Sequence, residues 1–477
     1  MNDAEHRQAA TSSDTQAPVE SVFSATGALW ALFFSIALGM LSTGLLNPLL
    51  SIRAGLSGFS PQSVGIVMTG YFAGFVFSSK LTPVLIARVG HIRVLAAFAS
   101  LASVSPLVHA VVVDPYVWFA GRLMTGFSMA GIYIVCESWL NARATNENRG
   151  SLLSVYMIIM VGSWASGPLL LNLGEPDSFE LFVLASGLIS LSLVPILLAA
   201  TPVPTIDTPE KLGVLALYRL APLSVAAAVG GGVAAGAIVG MAPTYGSMLK
   251  MSVPEISLFT TASLIGCVVT QWPIGWLSDR FDRRWVLTVV VFGCVAVAGV
   301  GSLGSDLPFL LQCALVGLLS GLIFPIYSLS IAHANDRLTT RQMMAASSTI
   351  VLINGVGATI GPTAVSYLIG LAGPGGFYLF FAVLFSMLGF YALYRMTRRA
   401  AVALDDQESV IMTTQAAGIA PVLTAESYYE VTSSSEDASY DEWLTETYEE
   451  EPKGPAEGVD IETNMPIDEP PKPEVRD

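Results

Sequence analysis

Runs of about twenty apolar residues recur from Leu29 to Tyr394, and they constrain this chain more than any other feature. A bilayer core has no water to satisfy backbone N–H and C=O groups, so a spanning segment must be a helix or part of a closed barrel. Runs of this length are helical, because about twenty residues at 1.5 Å each cover a hydrocarbon layer of about 30 Å. Twelve runs are predicted near 28–50, 62–86, 94–113, 117–139, 151–172, 181–200, 220–245, 255–277, 285–303, 308–332, 343–370 and 376–396. The chain is 53% hydrophobic and 12% charged. The expected class is an all-α integral membrane protein.

The chain also repeats itself. Tyr133, Asn141, Arg143, Thr145, Ser154, Gly167 and Pro168 recur as Tyr327, Asn335, Arg337, Thr339, Ser348, Gly361 and Pro362, each 194 positions later. Leu85 and Arg88 recur as Leu277 and Arg280 at an offset of 192. Two like-oriented halves are the architecture of one class of transporter, with the solute site between them. The expected layout is an N-terminal segment over 1–25, a six-helix bundle over 26–200, a linker over 201–219, a second six-helix bundle over 220–400 and a tail over 401–477.

Charge places the ends. The net charge of −15 belongs to the tail: residues 401–477 hold 20 acids and 3 bases, whereas 1–400 hold 17 acids and 19 bases. With the N-terminus inside, fifteen basic residues fall in inner segments, against Arg53 and Lys250 outside, so both termini are expected in the cytoplasm. The polar first 25 residues do not read as a signal peptide. The linker opens with TPVPTIDTPE, whose three prolines force an extended path, and closes with KLGVLALYRL, a candidate interfacial helix.

The sharpest motif is Gly275-Trp-Leu-Ser-Asp279-Arg280-Phe-Asp-Arg283-Arg284, on the inner turn between spans eight and nine. Gly275 admits close helix packing, Asp279 stands at a helix end, and the arginines are expected to hold the loop at headgroup level. The motif resembles the signature loop of the major facilitator superfamily. That resemblance covers about residues 25–400 and implies twelve transmembrane helices in two six-helix bundles, with alternating access around a central site. The phrases CESWLNARATNENRG and FPIYSLSIAHANDR are further similar to the YcaD-type permeases, a bacterial branch. The first-half copy of the loop keeps Arg88, Gly90 and Arg93, but Ala87 stands where the second half has Asp279.

Several residues are candidates for mechanism. Glu137 is either a substitute acid for the first-half gate or a protonation site. Arg122, in RLMTG, resembles a superfamily motif of proton-coupled members; it reads as a coupling residue or as an anchor to the outer interface. Lys80 either snorkels to the inner interface or meets a substrate or Glu137. His333 is a gate contact or a proton carrier. Tyr71, Tyr133, Trp164, Gln271, Gln312, Tyr327 and Asn354 are the polar or aromatic residues placed near mid-span, and they suit helix packing or an amphipathic, largely uncharged cavity. Gly-Pro in spans five and eleven is expected to bend both helices at matched depths.

No cofactor, metal or nucleic acid is called for. The four cysteines fall inside spans at no metal-like spacing, and the four histidines are scattered. No HExxH, GxSxG or Walker A sequence is present, which argues against an enzyme or an ATP-driven pump. The expected function is secondary active transport of a small organic solute in a bacterial inner membrane, coupled to protons. The competing reading is a transporter-like scaffold or sensor acting through its acidic tail. The tail is expected to be disordered, except that Tyr440, Trp443, Leu444 and Tyr448 within 439–451 would share one helix face and offer a docking segment for a protein partner.

Overall fold

The computed structural model describes residues 29–143, 149–198, 212–303, 307–338 and 340–398. They belong to one compact unit, Met1–Val431; a second unit, Thr432–Asp477, lies outside the described residues. So do the N-terminal segment, the proline-rich start of the linker, and the tail with its docking segment.

The first half contains α1 (Trp30–Leu56), α2 (Pro61–Val89), α3 (His91–Val111), α4 (Pro115–Arg143), α5 (Arg149–Ser166) and α6 (Glu180–Leu198). After a short α7 (Val214–Leu220), the second half contains α8 (Pro222–Met248), α9 (Val253–Ser278), α10 (Arg283–Ser302), α11 (Phe309–Ile323), α12 (Pro325–Asn335), α13 (Thr340–Ala372) and α14 (Gly376–Arg398). Among the described residues, eleven stretches are long and apolar enough to cross a membrane. The last, Ala345–Arg398, has 54 residues, and a 3₁₀ turn at Gly373–Gly375 divides it between α13 and α14. α11 and α12 together form one of these stretches, Phe309–Asn335, broken at Phe324.

The turns are built from local caps. Ser60 accepts from the Ser63 N–H at 3.2 Å ahead of α2, Asp114 accepts from the Tyr116 and Val117 N–H groups ahead of α4, and Ser252 with Glu255 forms a capping box on α9. Gly90 joins α2 to α3 at φ +85°, a conformation that costs glycine little. This explains why the first-half loop keeps a glycine between Arg88 and Arg93.

Close approach between helices uses the small residues. A Cβ on Gly70 would stand 2.7 Å from the Phe119 carbonyl oxygen, and one on Gly74 would overlap that of Leu123, so α2 lies directly on α4. Gly232 and Gly236 bring α8 onto the backbone of α13 in the same way. The pairing pattern is doubled: α2 with α4 matches α9 with α11, and α3 with α6 matches α10 with α14.

The expected matched bends differ in form. Gly167-Pro168 ends α5, which continues as a 3₁₀ segment to Leu173, whereas α13 remains α-helical through Pro362. Proline removes one backbone hydrogen bond in both; only α13 has enough helix on each side to absorb the loss.

Candidate functional site

The two halves meet at the end of the bundle opposite the arginine loops. Thr69 and Thr363 share a 2.8 Å hydrogen bond between α2 and α13. Ser257 donates to the Pro168 carbonyl at 2.8 Å, and Thr261 to that of Ala165 at 3.2 Å, joining α9 to the end of α5 and the segment after it. The sequence repeat explains this arrangement. Ser257 and Thr261 stand 192 positions after Gly65 and Thr69, and Pro362 stands 194 after Pro168. In the first contact, a Cβ on Gly65 would lie 2.6 Å from the Pro362 carbonyl oxygen. The two Gly-Pro sites are thus matching halves of one latch. Deeper in, Trp164 of α5 meets Phe324 edge-on, with ring centroids 6.5 Å apart.

Arg122 sits seven residues into α4, about 10 Å along the helix. It is only 2% exposed. Its guanidinium donates to Asn47 Oδ1 at 2.6 Å and lies over the Tyr71 ring, 4.6 Å from the centroid. Tyr71 and Tyr133 both pack against Phe75, and the Tyr133 hydroxyl contacts Met40 Sδ at 3.3 Å. Among the described residues Arg122 forms no ion pair, and its Nε has no hydrogen-bond partner. A cation in such a place is costly unless it is paired or wet.

His109, which the sequence did not single out, lies beside this site. A Cβ on Gly121 would stand 2.6 Å from its Cε1. Its Nδ1 is 2.6 Å from the Ser105 carbonyl oxygen and its Nε2 is 3.2 Å from that of Trp118. Carbonyls only accept, and a neutral imidazole carries one N–H, so the imidazolium alone would donate to both. Glu137, fifteen residues past Arg122 on α4 and about 22 Å away, accepts from the Tyr156 hydroxyl at 2.7 Å; both residues are buried.

The other mid-span candidates separate. Tyr327 and Asn354 are buried, and among the described residues the Tyr327 hydroxyl and both polar atoms of the Asn354 amide lack partners. They flank α8, where Gly231 faces Ile326 and Gly232 faces the Asn354 backbone. Gln271 is half-buried on α9. Gln312 is not mid-span: it lies in the first turn of α11, where its amide donates to the Leu307 carbonyl at 2.9 Å. Lys80 is exposed.

The arginine loops also differ from expectation. Arg88, Arg93, Asp279 and Arg280 are exposed, with Arg280 stacked on Trp276 at 4.1 Å. Arg283 and Arg284, by contrast, are buried. Arg283 pairs with Asp336 and donates to the Ala332 carbonyl at 3.0 Å, which ties α10 to the end of α12. Arg284 pairs with Asp282 at 2.7 Å. Gly275 is buried near the end of α9. His333 stands with Arg284, Arg337 and Arg395 around one cleft.

A family model, the Major Facilitator Superfamily, matches residues 32–252 and 223–427. The chain belongs to this superfamily. It is 27% identical over 334 residues to an uncharacterized MFS-type transporter of Enterobacter sp. (strain 638), covering 69% of this chain and 85% of that one. Over 336 residues it is 27% identical to the uncharacterized MFS-type transporter YcaD of Escherichia coli O139:H28, with the same coverage. It is therefore a YcaD-type superfamily member, a multi-pass membrane transport protein rather than an enzyme. Among solved structures it resembles the nucleoside transporter NupG (TM-score 0.66, 16% identity, 77% of this chain and 98% of that one). It also resembles a bacterial homolog of the human lysosomal transporter Spinster in an inward-facing, unoccupied state (TM-score 0.63, 13% identity, 81% and 98%). At these identities the likeness is one of fold.

Proposed function

We propose that this superfamily member is a secondary active transporter of a small organic solute bearing an anionic group, coupled to protons, in a bacterial inner membrane with both termini cytoplasmic. The observation that carries the reading is Arg122: a buried cation held by a neutral amide and a ring face, with no carboxylate bound to it among the described residues. Such a cation is completed by an anion, and a guanidinium presents its donors to a carboxylate or phosphate in matched pairs. Tyr71, Phe75 and Tyr133 provide the apolar wall beside it. Tyr327 and Asn354 would contribute polar contacts from the second half.

In the proposed cycle residues 26–200 rock against 220–400. The contacts of Gly65, Thr69, Ser257 and Thr261 close the outer side in the state described. The loops Arg88–Arg93 and Asp279–Arg284 would close the inner side in the alternate state. His109, next to Gly121, takes up a proton near the solute site, and Glu137 serves the inner end of α4.

The test is a panel of small organic acids and their amides, with proton movement followed by a pH-sensitive dye in proteoliposomes. Acid-dependent proton flux that disappears in Arg122→Gln supports the reading. A panel without flux, or flux undiminished in Arg122→Gln, contradicts it, and absence of flux also favours the scaffold alternative.

A further inference from the structure

Tyr327 and Asn354 hold more hydrogen-bonding capacity than the fold uses. Each is 1% exposed, and among the described residues the Tyr327 hydroxyl and both polar atoms of the Asn354 amide have no partner. Buried polar atoms without partners are costly, so each calls for an explanation. Packing does not supply one. The repeat sets Met40 against Gly232 at an offset of 192, and Tyr133 and Met160 against Tyr327 and Asn354 at 194. In the first half the Tyr133 hydroxyl meets Met40 Sδ at 3.3 Å, and Met160 is wholly buried. The same framework thus folds with thioethers where the second half has a glycine and an amide.

The two residues share one level of the bundle. Gly231 of α8 faces Ile326 and the Tyr327 backbone nitrogen, and the next residue, Gly232, faces the Asn354 backbone. Three residues before Tyr327, Phe324 meets Trp164 of the first half, so this stretch of α12 borders the space between the halves. A further contact relates this level to Arg122. A Cβ on Gly240 would lie 3.0 Å from Pro362 of α13 and 3.3 Å from Met68 of α2. Moving away from the latch, Gly70 is two residues beyond Met68, and a Cβ there would lie 3.2 Å from the Arg122 Cβ. Asn354 is eight residues beyond Pro362 in the same direction. At 1.5 Å per residue the two levels differ in depth by about 9 Å.

We propose that Tyr327 and Asn354 bind a neutral donor–acceptor group of the solute, a carboxamide, about 9 Å from the anionic group at Arg122. The two-point contact rests on Arg122 holding the anion. An Asn amide donates through its nitrogen and accepts through its oxygen, and a carboxamide returns both bonds; a second carboxylate would leave Asn354 Oδ1 without a donor. The solute class is an organic acid with a carboxamide at its far end. An extended chain gains about 1.2 Å per bond, which sets the two groups about seven or eight bonds apart.

The test titrates the purified full chain in detergent with straight-chain acids of graded length that end in a carboxamide. Matched acids end in a methyl ketone, which keeps the carbonyl but lacks the N–H donors. Near the stated span the carboxamide should bind about tenfold or more tighter than the ketone, and the preference should fall for shorter and longer chains. Asn354→Leu should bind both alike and keep or raise Tm, since it removes unpartnered groups. Tyr327→Phe should lose part of the preference. A preference that is absent, independent of length or undiminished in Asn354→Leu overturns the carboxamide site, while loss of binding in Arg122→Gln leaves the anion site standing. If neither acid binds, or binding survives Arg122→Gln, the anion site falls and the two-point contact with it. Should Asn354→Leu fail to fold, the length series and Tyr327→Phe decide, and an undiminished preference in Tyr327→Phe overturns the carboxamide site.

Discussion

Asn47 accepts a 2.6 Å hydrogen bond from Arg122, and neither this amide nor the Tyr71 ring at 4.6 Å neutralises the guanidinium. The relationship is between α1 and α4, two helices of the first half. The charge is held in place with no carboxylate paired to it among the described residues.

Asn47→Asp tests this directly. A carboxylate there would pair with Arg122 and compete with an anionic solute. Solute affinity should fall about tenfold or more, because an ion pair at this range in a buried site is worth more than about 1.4 kcal/mol. Folding should be unimpaired. Unchanged affinity in a binding titration would show that the solute does not use the Arg122 charge.

The proposed cycle assigns the proton to His109. His109→Gln keeps one donor and one acceptor near Ser105 and Trp118 but cannot gain charge. Solute exchange at equal pH should continue, while accumulation driven by a pH gradient should be lost. Retained gradient-driven accumulation would remove His109 from coupling.

Gly65 allows the latch to close. The Cβ of Gly65→Val would collide with Ser366 and with the Pro362 carbonyl oxygen. Only the closed state is penalised, so a cysteine introduced at Thr363 should label faster with a membrane-impermeant maleimide in this variant than in its absence. Transport should fall in parallel. Equal labelling would mean that α2 and α13 do not gate that end.

The Arg283–Asp336 pair is buried on both sides, with each side chain 2% exposed. Removing one partner leaves a buried charge, a loss of about 3–5 kcal/mol. Asp336→Asn should therefore lower Tm markedly, and Arg283→Met added to it should recover part of the loss. A double variant less stable than the single one would contradict the pairing.

The second loop acid makes a pH prediction. Burial pushes the Asp282 carboxyl up, but hydrogen bonds from the Arg284 side chain and N–H, together with its charge, outweigh burial and hold it below the ordinary carboxylate range. A depressed folded value means that its stabilisation is complete above the ordinary range and fades as pH falls through the folded value. Melting curves taken while acidifying from about pH 5 should drop less steeply for Asp282→Asn than for the unaltered chain. Parallel curves would show that the Asp282–Arg284 pair contributes nothing.

Much of this could be read from residues alone. Apolar run length gave the helices, and the doubled phrase has its counterpart in the doubled helix pairing, because both are local or register-preserving properties of a chain. The repeat marked Gly167-Pro168 and Gly361-Pro362 only as matched bends, not as the points on which Ser257 and Gly65 would close. Partner choice was less legible. Arg283 meets Asp336 fifty-three residues away, and nothing in the spacing of either residue announces it. The loop arginines therefore read as headgroup anchors when two of them are buried. Gln312 was placed mid-span because α11 and α12 form one apolar run whose outer end is not marked. His109 was passed over because its partners are backbone carbonyls, which leave no trace in side-chain patterns.

The most direct measurement of the central claim is exchange of a labelled organic acid, chosen from the transport panel, across proteoliposomes holding either the unaltered chain or Arg122→Gln. The account predicts saturable exchange by the unaltered chain and a loss of about tenfold or more in the variant, with Tm preserved. Equal exchange by the two would contradict it.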